Sequence, residues 1–193
     1  MNEHSLNSQN PFIRGYYIDT AICDDIVNHI QNIQLEKDDT NFRNYYYTWV
    51  EKLPKDLKKS YINSIIECIE TYKSEFEFCY KDLNLWTLKS GIKIQKYDPG
   101  NYYSVYHSET SGYITTLSRN LVFMTYLNDI SNGGGTEFFH QKLKVMPEKG
   151  LTLIWPTDWT HVHKGIVSET EEKYITTGWF VYDLTGGYTG FLY

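Results

Sequence analysis

The spacing of apolar residues changes once along this chain, and that change limits the folds open to it. Up to about residue 77 the apolar positions recur at intervals of three and four, the signature of helices with one buried face. Ile22, Ile26, Val27, Ile30 and Ile33 form one stripe, which Asp19 or Thr20 is placed to cap. Leu57, Tyr61, Ile65, Ile69, Tyr72 and Phe76 form a longer one behind Pro54, predicting a helix over 55–77. Beyond it the repeat falls to two, the period of strands. The predicted strands are 85–88, 92–97, 102–109, 121–128, 137–140, 151–155 and 173–182. Turn signals separate them: Asp98-Pro99-Gly100-Asn101, Asn128-Asp129, Gly133 to Gly135, and Pro147 to Gly150.

Many short strands after two helices predict a mainly β fold with α, of the α+β class: a jelly roll, or double-stranded β-helix, with N-terminal helices packed on one sheet. At 193 residues there is room for one such domain. We expect a flexible tail over 1–10 and a single domain over 11–193. Within it, 11–80 is helical support with a short strand at 16–18, and 85–183 is the jelly-roll core. Residues 34–53 begin charged and turn aromatic, as in a loop leading into a lip-forming or edge strand. There Phe42, Tyr45, Tyr46, Tyr47 and Trp49 either line a groove or fill the core.

A net charge of −6 argues against a nucleic-acid partner. Cys23, Cys68 and Cys79 have no CxxC spacing, and an odd count suits buried thiols in a reducing compartment. The polar N-terminus lacks the basic start and apolar run of a signal peptide, and no stretch reaches membrane-spanning length. A cytoplasmic location is expected, with no membrane partner.

Three positions carry chemistry. His107 and Glu109 are two residues apart, so on an extended strand with Tyr103 and Val105 they project from one face and can offer a nitrogen and an oxygen to one metal ion. A second histidine comes from His161 or His163, themselves two apart; an ordinary loop role is the better reading for His161. On the apolar strand 173–182, Lys173, Ile175, Thr177 and Trp179 share a face. An inward ammonium there calls for an anion, such as a substrate carboxylate. His4, His29 and His140 have no carboxylate at ligand spacing and read as structural or exposed.

From Tyr97 to Trp179 the sequence resembles the prolyl 4-hydroxylase-type 2-oxoglutarate- and Fe(II)-dependent dioxygenases. The shared pattern is Tyr97-x-x-Gly100, Tyr103, His107-x-Glu109, Arg119, Tyr126-Leu127-Asn128, Gly134-Gly135-Thr136-x-Phe138, Pro147-x-x-Gly150, His163-x-Gly165, Lys173 and Trp179. The resemblance implies Fe(II) held by His107, Glu109 and His163, with Glu109 standing where the family usually has aspartate. It implies that Lys173 pairs with the distal carboxylate of 2-oxoglutarate, with Tyr97 and Tyr126 as further cosubstrate contacts; Thr177 adds a hydroxyl by strand alternation. The implied reaction consumes O2 and 2-oxoglutarate, yields succinate and CO2, and hydroxylates a C–H bond of a peptidyl proline or another protein side chain, with ascorbate as an accessory reductant. Alternatives on the same scaffold are a small-molecule or free amino-acid hydroxylase and a non-catalytic jelly-roll binding module.

Overall fold

A computed structural model describes residues 2–4, 12–79 and 86–182. The first strand, β1 (Arg14–Tyr17), leads into α1 (Thr20–Ile30), capped by Asp19, whose carboxylate accepts the Ala21 amide at 2.9 Å. A hairpin follows, β2 (Glu36–Thr40) and β3 (Arg43–Trp49), and then α2 (Lys55–Glu75), which starts behind Pro54. The β half comprises β4 (Trp86–Leu88), β5 (Lys93–Tyr97), β6 (Tyr102–Tyr103), a helical turn α3 (Ile114–Leu117), β7 (Arg119–Tyr126), β8 (Thr136–Phe138), β9 (Leu143–Val145), β10 (Leu151–Pro156), β11 (His163–Gly165) and β12 (Lys173–Tyr182).

These strands build two antiparallel sheets. The larger runs β1-β10-β7-β12-β5-β3-β2, with β4 on β12 and β6 on β3; the smaller runs β11-β8-β9. The jelly-roll expectation holds, and β12 is central, between β7 and β5. Strand alternation then sorts the side chains into two cores. Leu121 and Phe123 of β7 and Tyr174 and Phe180 of β12 face α1 and α2, where they meet Ile26, Ile30, Ile65 and Ile69. Val122, Met124 and Tyr126 of β7, Ile175 of β12 and Trp155 of β10 face the small sheet and meet Phe138 and Val145. Each such side chain, fully buried, contributes roughly 1.5–3 kcal/mol.

Polar contacts fix how α2 sits. Tyr61 is fully buried, and its hydroxyl reaches Thr125 at 3.3 Å and also hydrogen-bonds Thr176. Thr152, Thr125 and Thr176 lie in register across β10, β7 and β12, so one phenol ties the helix to β7 and β12, and to β10 through the Thr125–Thr152 hydrogen bond. Gly178, in the middle of β12, is a packing requirement: a Cβ there would stand 2.4 Å from the Phe123 ring.

Several expectations need correcting. Residues 34–53 are a hairpin; β3 lies inside the sheet, and β2 is its edge. The predicted strand 102–109 stops after Tyr103, and Val105 is 42% exposed instead of inward. Past Tyr103 the segment pairs with β11 only at His107, too little to hold an alternating strand. In the supposed tail, residues 2–4 lie along β1, the His4 amide donating to Gly15 O at 2.8 Å and the Tyr17 amide to Asn2 O at 3.0 Å; the rest of that tail is outside the described residues. Strands β9 and β11, three residues each, carried no periodic signal. Cys23 and Cys68 are buried and Cys79 partly so. Among the described residues no helix is long and apolar enough to cross a membrane.

Candidate metal centre and cosubstrate cavity

His107 and His163 come together through their backbones. Each donates its amide to the other's carbonyl at 3.0 Å, the two ring centroids lie 4.5 Å apart, and the Glu109 amide is anchored on Thr157 O at 3.0 Å. The His107 and His163 Nε2 atoms then lie 3.7 and 3.5 Å from Glu109 Oε1. No other His, Cys, Asp and Glu cluster among the described residues converges in this way.

The tautomers follow from the second nitrogens. His107 Nδ1 is 2.8 Å from Val105 O, and His163 Nδ1 is 3.0 Å from His161 O. A carbonyl oxygen only accepts, so each Nδ1 carries its proton and each Nε2 turns a lone pair toward Glu109. Glu109 is held as firmly: Oε2 accepts from Trp179 Nε1 at 2.9 Å and from Arg119 Nη1 at 3.1 Å, while Arg119 also donates to Glu109 O at 2.7 Å. The guanidinium lies 3.8 Å from the centre of the Trp179 indole. One carboxylate oxygen is thus occupied and the other is free beside the imidazoles, which fixes the extra methylene of a glutamate in one place. Burial pushes the Glu109 pKa up, and the two histidines, in the form that carries a proton on Nε2 as well, pull it well below the usual carboxylate range.

This donor set fits a divalent transition metal. Bonds of about 2.1 Å separate neighbouring ligand atoms by about 3.0–3.4 Å; the two Nε2–Oε1 spacings need only a slight closure, and all three ligand atoms lie within 4.8 Å of one another. Two neutral imidazoles and one carboxylate on one side of an ion leave its other positions open.

The centre lies on the wall of a cavity of about 430 Å³ between the two sheets. Lys173 lines it, 6% exposed, with Nζ 5.0 Å from the centre of the Tyr97 ring. No carboxylate among the described residues is at ion-pair distance from it, and burial pushes its pKa down to about 8. Gly165 keeps the space beside it open, since a Cβ there would lie 3.8 Å from the ammonium and 3.1 Å from Tyr103 O.

The other sequence candidates separate. Tyr97 lines the cavity, but its hydroxyl donates to Gln95 Oε1 at 3.1 Å, so what it offers Lys173 is its ring face. Thr177 also lines it. Tyr126 does not: it stands behind Thr136, sharing a 2.7 Å hydrogen bond with that hydroxyl, and Thr136 is the group presented to the cavity. His161 is buried in a 3-10 turn, Trp159–His161, with Nδ1 2.8 Å from Thr160 Oγ1, and takes no part in the triad. Of the aromatic run, Tyr45 and Trp49 line the cavity and Phe42 is exposed. The sequence reading assigned no role to Arg119 and Trp179 at Glu109. Trp179 shares the inward row of Lys173 and could have been found there. Arg119 could not, because the β7–β12 register shifts between Phe180 and Val181, opposite it, and the alternation breaks.

Residues 92–181 match the family described as the 2OG-Fe(II) oxygenase superfamily. Over those 90 of its 193 residues the chain is similar to that superfamily. The matched superfamily is one of enzymes that use Fe(II), 2-oxoglutarate and O2. No curated protein matches it in sequence. Solved structures match it in fold. The viral collagen prolyl hydroxylase of Paramecium bursaria Chlorella virus-1, in complex with 2-oxoglutarate, superposes with a TM-score of 0.67 at 19% identity, over 90% of this chain and 98% of that one. A Pseudomonas putida prolyl-4-hydroxylase gives 0.69 at 15%, over 89% and 92%. A Trichoplax adhaerens prolyl hydroxylase, in complex with a peptide fragment of the hypoxia inducible factor oxygen degradation domain, gives 0.64 at 15%, over 86% and 83%.

Proposed function

We propose that this protein is an oxygenase that hydroxylates a C–H bond of a peptide or protein, with a prolyl residue as the first candidate, and that His107, Glu109 and His163 hold its Fe(II). The carrying observation is the convergence of two Nε2 atoms and one free carboxylate oxygen on the wall of a cavity that also holds a buried ammonium with no carboxylate partner among the described residues. Bound there, Fe(II) supplies the activation of O2 that couples oxidative decarboxylation of 2-oxoglutarate, to succinate and CO2, to hydroxylation of the substrate.

The residues of the chain do the rest. The carbonyls of Val105 and His161 keep both imidazoles in the metal-binding tautomer. Arg119 and Trp179 keep Glu109 presenting one oxygen. Lys173, cushioned on the Tyr97 ring, takes the distal carboxylate of 2-oxoglutarate, and the hydroxyls of Thr136 and Thr177 are at hand as donors. Burial between the sheets excludes water, which strengthens that ion pair. The peptide substrate is supported by the prolyl hydroxylases among the fold relatives, one of them with a peptide bound. A reducing, cytoplasmic setting and ascorbate as accessory reductant belong to the same reading.

The test is succinate formation from 2-oxoglutarate in air with Fe(II) and ascorbate, for the wild type and His107→Ala, with and without proline-containing peptides. The proposal expects His107-dependent succinate and one oxygen atom added to proline. Binding of 2-oxoglutarate and Fe(II) with no succinate under any peptide would indicate a non-catalytic module. Succinate and a hydroxylated free amino acid, with peptides untouched, would indicate a small-molecule hydroxylase.

A further inference from the structure

The cavity is electropositive in a chain of net charge −6: its charged lining is Arg43, Lys89, Lys93, Arg119 and Lys173 against Asp98 and Glu109. Most of these are matched. Arg43 pairs with Asp38 at 3.0 Å, Arg119 with Glu109 at 3.1 Å, and Asp98 with Lys96 at 2.9 Å. Lys173 has a role in holding the cosubstrate. Lys89 and Lys93 have none so far, and Lys93 is the one set among aromatic rings.

Lys93 sits on β5 directly opposite Thr177 of β12, as Tyr97 sits opposite Lys173. The two ammonium-bearing residues therefore lie at opposite ends of one inward-facing patch, four residues or about 13 Å apart along the strands. Lys93 is at the end nearer Trp179, whose indole holds Glu109. Its Nζ is 4.6 Å from the centre of the Tyr47 ring, 5.5 Å from that of Trp49 and 5.8 Å from that of Tyr45, and 3.4 Å from the Tyr45 hydroxyl. The nearby acids of β2 are spent elsewhere: Asp38 on Arg43, and Glu36 on Tyr47 and Lys52. No carboxylate among the described residues is at ion-pair distance from Lys93, and burial holds its pKa below that of an ordinary lysine. Three aromatic faces orient the ammonium without neutralising it.

We propose that Lys93 is a specificity-determining residue that receives a carboxylate of the substrate, so that the enzyme selects peptides with an acidic group close to the hydroxylated position. This rests on the peptide-hydroxylase reading above, and one cation per anion explains both ends of the patch: Lys173 for the cosubstrate, Lys93 for the substrate. The carboxylate is that of an aspartyl or glutamyl side chain or of a chain terminus.

The test is anaerobic binding of dye-labelled peptides, by fluorescence anisotropy, to protein loaded with Fe(II) and 2-oxoglutarate. The peptides carry Asp or Glu, Asn or Gln, or Lys around a central proline, with free and amidated C-termini, and each is repeated with alanine in place of proline. The wild type should bind the acidic set at least ten-fold more tightly than the amide set. Lys93→Met should remove that preference, and Lys93→Glu should transfer it to the lysine set. A preference that follows only the free C-terminus assigns the contact to the terminal carboxylate. Equal binding of the acidic and amide sets by the wild type overturns the proposal, as does a preference that survives in both variants or an acidic set that does not bind. The peptide-prolyl reading fails separately: the acidic preference then persists in the alanine peptides, and admitting O2 adds no oxygen to proline.

Discussion

A buried ammonium without an anion costs folding energy, and replacing Lys173 should reveal how much. Burial moves its pKa from 10.5 to about 8, which at ~1.4 kcal/mol per pH unit is a penalty of about 3 kcal/mol. The Tyr97 ring under the ammonium returns roughly 1 kcal/mol of that. Lys173→Met, which keeps the chain length and removes the charge, should therefore stabilise the metal-free protein by about 2 kcal/mol at pH 7. The sign of the pH dependence is set by a folded-state pKa lower than the unfolded one. Below about 8 the lysine is protonated in both states and the whole penalty is present; between about 8 and 10.5 the folded state alone has released its proton and the penalty shrinks; above 10.5 it is gone. The gap between variant and wild type should narrow accordingly. Urea unfolding of both proteins from pH 7 to 10.5 measures it, and because the buried tyrosines and cysteines titrate alike in both, the difference is the quantity to follow. With metal present, 2-oxoglutarate should raise the melting temperature of the wild type and leave Lys173→Met almost unmoved. A variant less stable than the wild type by an amount that does not change with pH would refute the account, because the lysine would then be contributing packing and no charge penalty.

The two neighbouring histidines should behave differently. His163→Ala should abolish metal binding, followed by calorimetric titration with Fe(II) or Mn(II), whereas His161→Ala should weaken it only modestly by loosening the turn whose carbonyl holds His163; equal, complete loss in both would contradict this. Tyr61→Phe should cost about 1–2 kcal/mol in urea unfolding by removing the hydroxyl that ties α2 to Thr125 and Thr176. An unchanged unfolding midpoint would show that apolar contact alone seats the helix.

What the sequence determined is what strictly local rules control. The two stripes gave α1 and α2, because one helix face must be buried wherever the helix lies. Strand alternation put Lys173, Thr177 and Trp179 on one face of β12, and that is where they lie. The spacing of His107 and Glu109, with a second histidine downstream, pointed to a three-ligand metal site, although the regular strand invoked for it does not exist. His107 is placed by a single backbone bridge to His163 and Glu109 by Thr157, contacts 56 and 48 residues away in sequence that no local pattern encodes.

The tertiary structure alone decided the rest, because each remaining feature depends on which distant strands become neighbours. It put Tyr126 behind Thr136 and removed it from the cavity wall. It brought Arg119 round a register shift onto Glu109, so that glutamate stands in a fixed place where a shorter aspartate is usual in the family. It matched the acids of β2 to Arg43 and Lys52 and left Lys93 among aromatic rings with its charge unanswered. Periodicity records which face of an element is buried; the neighbour across that face, and whether its charge is already paired, is fixed only when the chain has closed.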